Sequence, residues 1–253
     1  MVKPLIVGNW KMNLLINEAV MLARGIADFV KTLSDLRIVL APSFTLLSEV
    51  RDALSNSDVS LACQNFYFEE NGAYTGEISI EMIKDVGCDF AILGHSERRH
   101  LFGETDDLIN KKLGCAVKKG INSILCIGET GDQRKTGKTF EIIEQQLCIG
   151  LAGLKGQDLQ NISIAYEPVW AIGTGKNATA KQVEEVHIFI RKIVTDKLFG
   201  KEIKPLTILY GGSVTPQNCK EILANKEVDG AIVGTASLNI DSFCAIINSA
   251  KSI

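Results

Sequence analysis

The sequence predicts a closed (β/α)₈ barrel, eight parallel strands ringed by helices, on three observations. The chain has 253 residues, close to the roughly 250 typical of one such barrel. Eight short Ile/Val/Leu-rich runs are apolar almost throughout rather than alternating, the pattern of strands buried on both faces of a parallel sheet. Helix-period stretches separate them in strict alternation, which favours closure over an open doubly wound sheet. No Pro/Ser-rich linker or low-complexity segment interrupts the pattern, so residues 1–253 are expected to form one domain.

In chain order the expected strands are Leu5–Trp10, Arg37–Pro42, Val59–Asn65, Asp89–His95, Ser123–Gly128, Ser163–Glu167, Thr207–Gly212 and Gly230–Gly234. Asn17–Leu33 sets Val20, Ala23, Ala27 and Val30 at helical spacing, with Asn17 the expected N-cap. Thr105 is placed to cap Asp106–Lys119, where early Asp106 and Asp107 and late Lys118 and Lys119 match the helix dipole. Lys138–Leu151 and Thr179–Lys197 are the other clear helices.

Composition narrows the function classes. A net charge of −3 argues against a nucleic-acid or membrane-surface partner, since either calls for a basic patch. The seven cysteines are odd in number, widely spaced and without a C-x-x-C pair, and there are three histidines. That pattern is expected of reduced, buried thiols in the cytoplasm, with no metal cluster. No run reaches the 18 or so apolar residues of a membrane span.

Barrel enzymes carry their chemistry at the C-terminal ends of the strands. Here those ends read Asn9 and Lys11 on the first strand, His95 and Glu97 on the fourth, and Glu167 on the sixth. Gly211, Gly212 and Ser213 end the seventh, and Gly234 the eighth. A carboxylate, an imidazole and an ammonium beside glycine-rich loops suit proton transfer on a phosphorylated substrate. His100 and His187 fall within helices and are assigned structural roles.

Six segments carry a resemblance over essentially the whole chain: Gly8-Asn-Trp-Lys-Met12, Ala73-Tyr-Thr-Gly-Glu77, Leu93-Gly-His-Ser-Glu-Arg-Arg99, Ala165-Tyr-Glu-Pro-Val-Trp-Ala-Ile-Gly-Thr-Gly-Lys176, Tyr210-Gly-Gly-Ser-Val214 and Asp229-Gly-Ala-Ile-Val-Gly234. Each is similar to a signature segment of the triosephosphate isomerases, in that family's order. The resemblance implies a TIM barrel that interconverts dihydroxyacetone phosphate and D-glyceraldehyde 3-phosphate through an enediolate, as a homodimer, with neither metal nor cofactor. It implies Glu167 as general base, His95 as an uncharged electrophile, Lys11 and Asn9 as stabilisers of developing charge, and Glu97 as partner of Lys11. Gly173, Ser213, Gly234 and Thr235 would offer backbone amides to the phosphate. Pro168, Val169, Trp170, Ala171, Ile172, Gly173, Thr174, Gly175 and Lys176 would form a lid, supported by Tyr210 and Ser96. Thr75 would reach from one subunit into its neighbour's site. Another phosphate-binding barrel enzyme would share the last two loops without needing Asn9, Lys11, His95 and Glu167 together.

Two motif matches are discounted. Gly173-Thr-Gly-Lys-Asn-Ala178 fits a dinucleotide fingerprint but does not follow its strand directly. Gly131–Thr139 resembles a phosphate-binding loop with one residue too many and is read as a basic surface loop. Two positions depart from the family pattern: Thr235 stands where a second glycine is usual, and Cys63 where a small alanine is. Thr235 would be strained if that position needed positive φ, and Cys63 is expected to pack tolerably and to make the dimer interface sensitive to thiol reagents.

Overall fold

The structure, a computed structural model, describes residues 3–31, 33, 35–172, 178–200, 203 and 205–251. Eight parallel strands close in sequence order: β1 Leu5–Asn9, β2 Arg37–Ala41, β3 Ser60–Cys63, β4 Phe90–Leu93, β5 Asn122–Ile127, β6 Ile162–Tyr166, β7 Thr207–Tyr210 and β8 Gly230–Val233. The ring is sealed where Leu5 of β1 sits opposite Gly230 of β8 and Gly8 opposite Val233. Around it lie α1 Ile16–Val30, α2 Leu47–Ala53, α3 Ile80–Asp85, α4 Ser96–Leu101, α5 Asp106–Lys119, α6 Gly131–Lys135, α7 Thr139–Gly150, α8 Ala180–Lys192, α9 Cys219–Leu223 and α10 Ile240–Ala250. This is the TIM-barrel architecture expected from the apolar runs.

Two cores follow from the two faces of each strand. Inside the barrel Leu5, Val7, Val39, Ile92, Ala165, Leu209 and Ile232 pack together; outside it Ile6, Leu40, Ile164 and Ile208 meet the helices. Because side chains alternate along a strand, this register positions the site. Leu5 and Val7 fill the interior, so Asn9 caps it at the C-terminal mouth. Ala165 points inward, so Glu167 follows it there, while Tyr166 joins the outer core.

The helix ends show where sequence signals worked. Thr105 does cap α5, its hydroxyl accepting the Leu108 N–H at 3.3 Å. Asn17 does not cap α1. That helix starts at Ile16, and Glu18 Oε2 takes the Leu15 N–H at 2.8 Å, satisfying an amide before the first turn from within it. Its buried face is Ala19, Leu22, Ala23, Ile26, Ala27 and Val30, with Val20 only half-buried. The expected helix 179–197 changes hydrogen-bond period after Lys192, continuing as a π segment, Ile193–Phe199. The basic loop expected over 131–139 is instead α6 and the start of α7. Thr130 and Gln133 satisfy each other's amides in a reciprocal cap, and this local exchange nucleates the short helix.

Candidate active site

A cavity of about 450 Å³ opens at the mouth, lined among others by Asn9, Lys11, His95, Glu167, Ser213, Gly234 and Thr235. Close approach shapes it. A β-carbon on Gly128 would lie 1.7 Å from the Glu167 carbonyl oxygen, and one on Gly211 would lie 2.8 Å from Glu167 Cγ. Glycine at these two positions makes room for the Glu167 backbone and side chain.

Glu167 is 2% exposed. Its Oε2 accepts the Ser96 N–H at 2.9 Å, and its Oε1 lies 3.4 Å from His95 Nε2. The Cys126 thiol also donates to this carboxylate. Cys126 lies beside it inside the barrel; burial, then the Glu167 charge, push its thiol well above the usual range. His95 precedes α4, and its Nδ1 accepts the Glu97 N–H at 3.3 Å. A nitrogen that accepts an amide carries no proton, so the ring proton sits on Nε2, the atom facing Glu167 and the cavity.

Lys11 is held in a left-handed conformation, φ 52°. For a side chain with a β-carbon this costs of order 1 kcal/mol. Two hydrogen bonds fix it: the Lys11 N–H donates to Asn9 Oδ1 at 3.1 Å, and Gln64 Nε2 donates to the Lys11 carbonyl at 2.7 Å. The turn aims the ammonium at Glu97 Oε1, 2.6 Å away. Both partners are part-exposed, so the pair contributes little to stability; its consequence is where it holds the positive charge.

The chain matches the family model "Triosephosphate isomerase" over residues 4–250. It is 47% identical over 245 residues to the triosephosphate isomerase of Geotalea uraniireducens, covering 97% of this chain and 98% of the relative. It is 48% identical over 246 residues to that of Carboxydothermus hydrogenoformans, at 97% and 98% coverage. It is 46% identical over 249 residues to that of Endomicrobium trichonymphae, at 98% and 99%. The chain belongs to the triosephosphate isomerase family.

Within this family member the expected phosphate ligands are partly in view. Ser213 and Gly234 line the cavity with Thr235, while Gly173 lies outside the described residues. Thr235 opens a 3₁₀ turn, Thr235–Leu238, and has no positive φ: Lys11 and Leu14 are the two non-glycine residues that do among the described residues. The strain considered for a β-branched residue there does not arise.

The lid stretch is described from Pro168 to Ile172; Gly173, Thr174, Gly175 and Lys176 lie outside the described residues. Val169–Ala171 forms a 3₁₀ turn, and Trp170 Nε1 donates to Glu129 Oε1 at 2.9 Å. The Arg134 guanidinium lies 4.8 Å from the Trp170 ring centroid and 2.9 Å from the same carboxylate, and the Tyr166 hydroxyl donates to Glu129 at 3.2 Å. Tyr210 is fully buried. Its hydroxyl makes no well-formed hydrogen bond among the described residues, and burial raises its pKa to about 12 against the pull of the Ala178 backbone. Ser96, expected to support the lid, meets Glu167 through its backbone amide.

Thr75 is exposed on the loop between β3 and α3 and lines neither the main cavity nor its neighbour. That neighbour, about 150 Å³, lies on the far side of Lys11 between Met12, Gln64, Glu97 and Phe102. Cys63 is fully buried in β3, and burial pushes its thiol well above the usual range. Both effects oppose the expected thiol sensitivity. His187 is fully buried in α8, its Nδ1 2.9 Å from the Glu227 carbonyl. Sequence reasoning missed Gln64, Cys126, Glu129 and Arg134. Gln64 and Glu129 both stood at strand ends, and that placement was the signal available.

Proposed function

We infer that the chain catalyses the reversible isomerisation of dihydroxyacetone phosphate and D-glyceraldehyde 3-phosphate. The observation that carries this reading is a buried carboxylate at the floor of the cavity, tethered by one backbone amide, with a proton-bearing imidazole nitrogen beside it. Such a group is desolvated, positioned and free to move, as a base acting on a carbon acid must be.

Glu167 leaves the Ser96 amide and takes the proton from the hydroxymethyl carbon of dihydroxyacetone phosphate. The C–H electron pair becomes the carbon–carbon double bond of an enediolate. The His95 Nε2–H and the Lys11 ammonium stabilise the charge that collects on the former carbonyl oxygen, with Asn9 donating alongside. His95 passes a proton between the two oxygens, and Glu167 returns its proton to the neighbouring carbon. Glu97 keeps Lys11 in place. Ser213, Gly234 and Thr235 offer amides to the phosphate, and the described lid stretch, Pro168–Ile172, closes over it so that water is excluded and phosphate is not lost from the intermediate.

Residues 1–253 act as one domain in this reading, because the first and last strands pair to close one sheet. The chain works as a homodimer. Met12 is 94% exposed and Phe102 70%, both bordering the smaller cavity behind Lys11, which invites a partner's loop carrying Thr75. Seven free thiols support a reducing cytoplasm.

Purified protein given dihydroxyacetone phosphate alone should form D-glyceraldehyde 3-phosphate to the same final ratio reached from the other side, followed by phosphorus NMR. Recovery of unreacted substrate in both directions would overturn the reading.

A further inference from the structure

The phosphate side of the cavity contains a hydroxyl that the amide-only description leaves unused. Thr235 is exposed and lines the cavity beside Gly234 and Ser213, and its hydroxyl has no hydrogen-bond partner among the described residues. The turn beneath it is fixed. The Gly234 carbonyl accepts both the Ser237 N–H at 2.8 Å and the Ser237 hydroxyl at 2.7 Å, and Ser237 is fully buried. Positive charge lies next door: a β-carbon on Gly234 would sit 3.4 Å from Lys11 Cε.

We propose that the Thr235 hydroxyl is itself a ligand of the substrate phosphate, donating a hydrogen bond beside the backbone amides. This deepens the isomerase reading above and rests on it. The chemistry favours the assignment. A phosphate dianion is almost wholly an acceptor, and hydrogen bonds to charged groups are about twice as strong as neutral ones. A threonine hydroxyl always has a proton to donate. Its β-branch restricts the rotamers, and the locked turn fixes the backbone from which it projects. The backbone that carries the donor is therefore pre-positioned, which limits the freedom lost on binding. The residue thereby adds to discrimination between phosphorylated and unphosphorylated trioses.

The test compares Thr235→Val, which keeps the branched shape and removes the donor, with Thr235→Ser, which keeps the donor. Inorganic phosphate is the probe, as a competitive inhibitor, alongside KM for D-glyceraldehyde 3-phosphate. In Thr235→Val both constants should rise about tenfold, the loss expected for one hydrogen bond to a charged group, while Thr235→Ser stays within about twofold of the parent. Melting temperatures establish that both variants fold. Wild-type constants in Thr235→Val would overturn the proposal, as would a serine variant as weak as the valine one, since shape rather than the donor would then matter. If the parent protein neither isomerises triose phosphate nor is inhibited by phosphate, the isomerase reading has failed, and the proposal with it. If the parent does both and the valine variant matches it, the proposal alone has failed.

Discussion

Glu129 and Glu167 follow adjacent strands, β5 and β6, at the same end of the barrel, and both are buried. Their surroundings differ. Glu129 receives Arg134 at 2.9 Å, Trp170 Nε1 at 2.9 Å and the Tyr166 hydroxyl at 3.2 Å. Glu167 receives one backbone amide at 2.9 Å and the Cys126 thiol, and faces His95 across 3.4 Å. A carboxylate clamped by a guanidinium fixes structure; one held by uncharged donors alone can move and accept a proton. The cations differ likewise. Arg134 is clamped between a carboxylate and an indole, whereas Lys11 pairs with a part-exposed Glu97 and keeps its charge at the cavity. Burial alone therefore does not mark the reacting group; the kind of its partners does.

The sharpest way to break this contrast is to remove each carboxylate. Glu167→Ala should lower kcat by about three to four decades, the range of a lost general base, with a melting temperature close to the parent's. Lys11→Ala should lower kcat/KM by about two to three decades in the same steady-state assay. Glu129→Ala should invert the pattern. It leaves the Arg134 charge and the Tyr166 and Trp170 donors without their acceptor, so denaturant unfolding should register a loss of about 2–4 kcal/mol, with a smaller effect on rate than either substitution at the mouth.

A milder probe of the locked side is pH. His187 packs edge-on against Tyr166, the residue that reaches Glu129, with ring centroids 5.9 Å apart. Burial lowers its pKa to about 4. In the unfolded chain a histidine takes up its proton near pH 6.5. Between those values the unfolded state binds more protons than the folded one, so stability falls as pH drops from about 6.5 to about 4, by roughly 3 kcal/mol from this group. His187→Gln should flatten that part of the stability profile. The smallest expected effect concerns Cys63: an alkylating reagent should leave it unmodified in the native protein under conditions that label part-exposed Cys115, Cys148 and Cys244.

The barrel was legible because short near-continuous runs such as Arg37–Ala41 and Asn122–Ile127 alternate with longer helix-period stretches, as strands covered on both faces do. The strand-end rule then placed Asn9, Lys11, His95 and Glu167 at one mouth, where the structure brings them together. The start of α1 was misread because its deciding cap is Glu18, inside the helix, rather than the polar Asn17 at its edge. The Glu129–Arg134–Tyr166–Trp170 cluster was invisible because it depends on the register of β5 against β6 and on α6 forming at all. No one-dimensional spacing encodes a contact between residues 37 and 41 positions apart.

The most direct test is exchange of the substrate's carbon-bound hydrogen with heavy water, followed by proton NMR in the parent protein, Glu167→Ala and Glu129→Gln. The parent and Glu129→Gln should both incorporate deuterium during isomerisation, while Glu167→Ala should fall by three decades or more. Exchange at the parent's rate in Glu167→Ala, or a collapse confined to Glu129→Gln, would contradict the account.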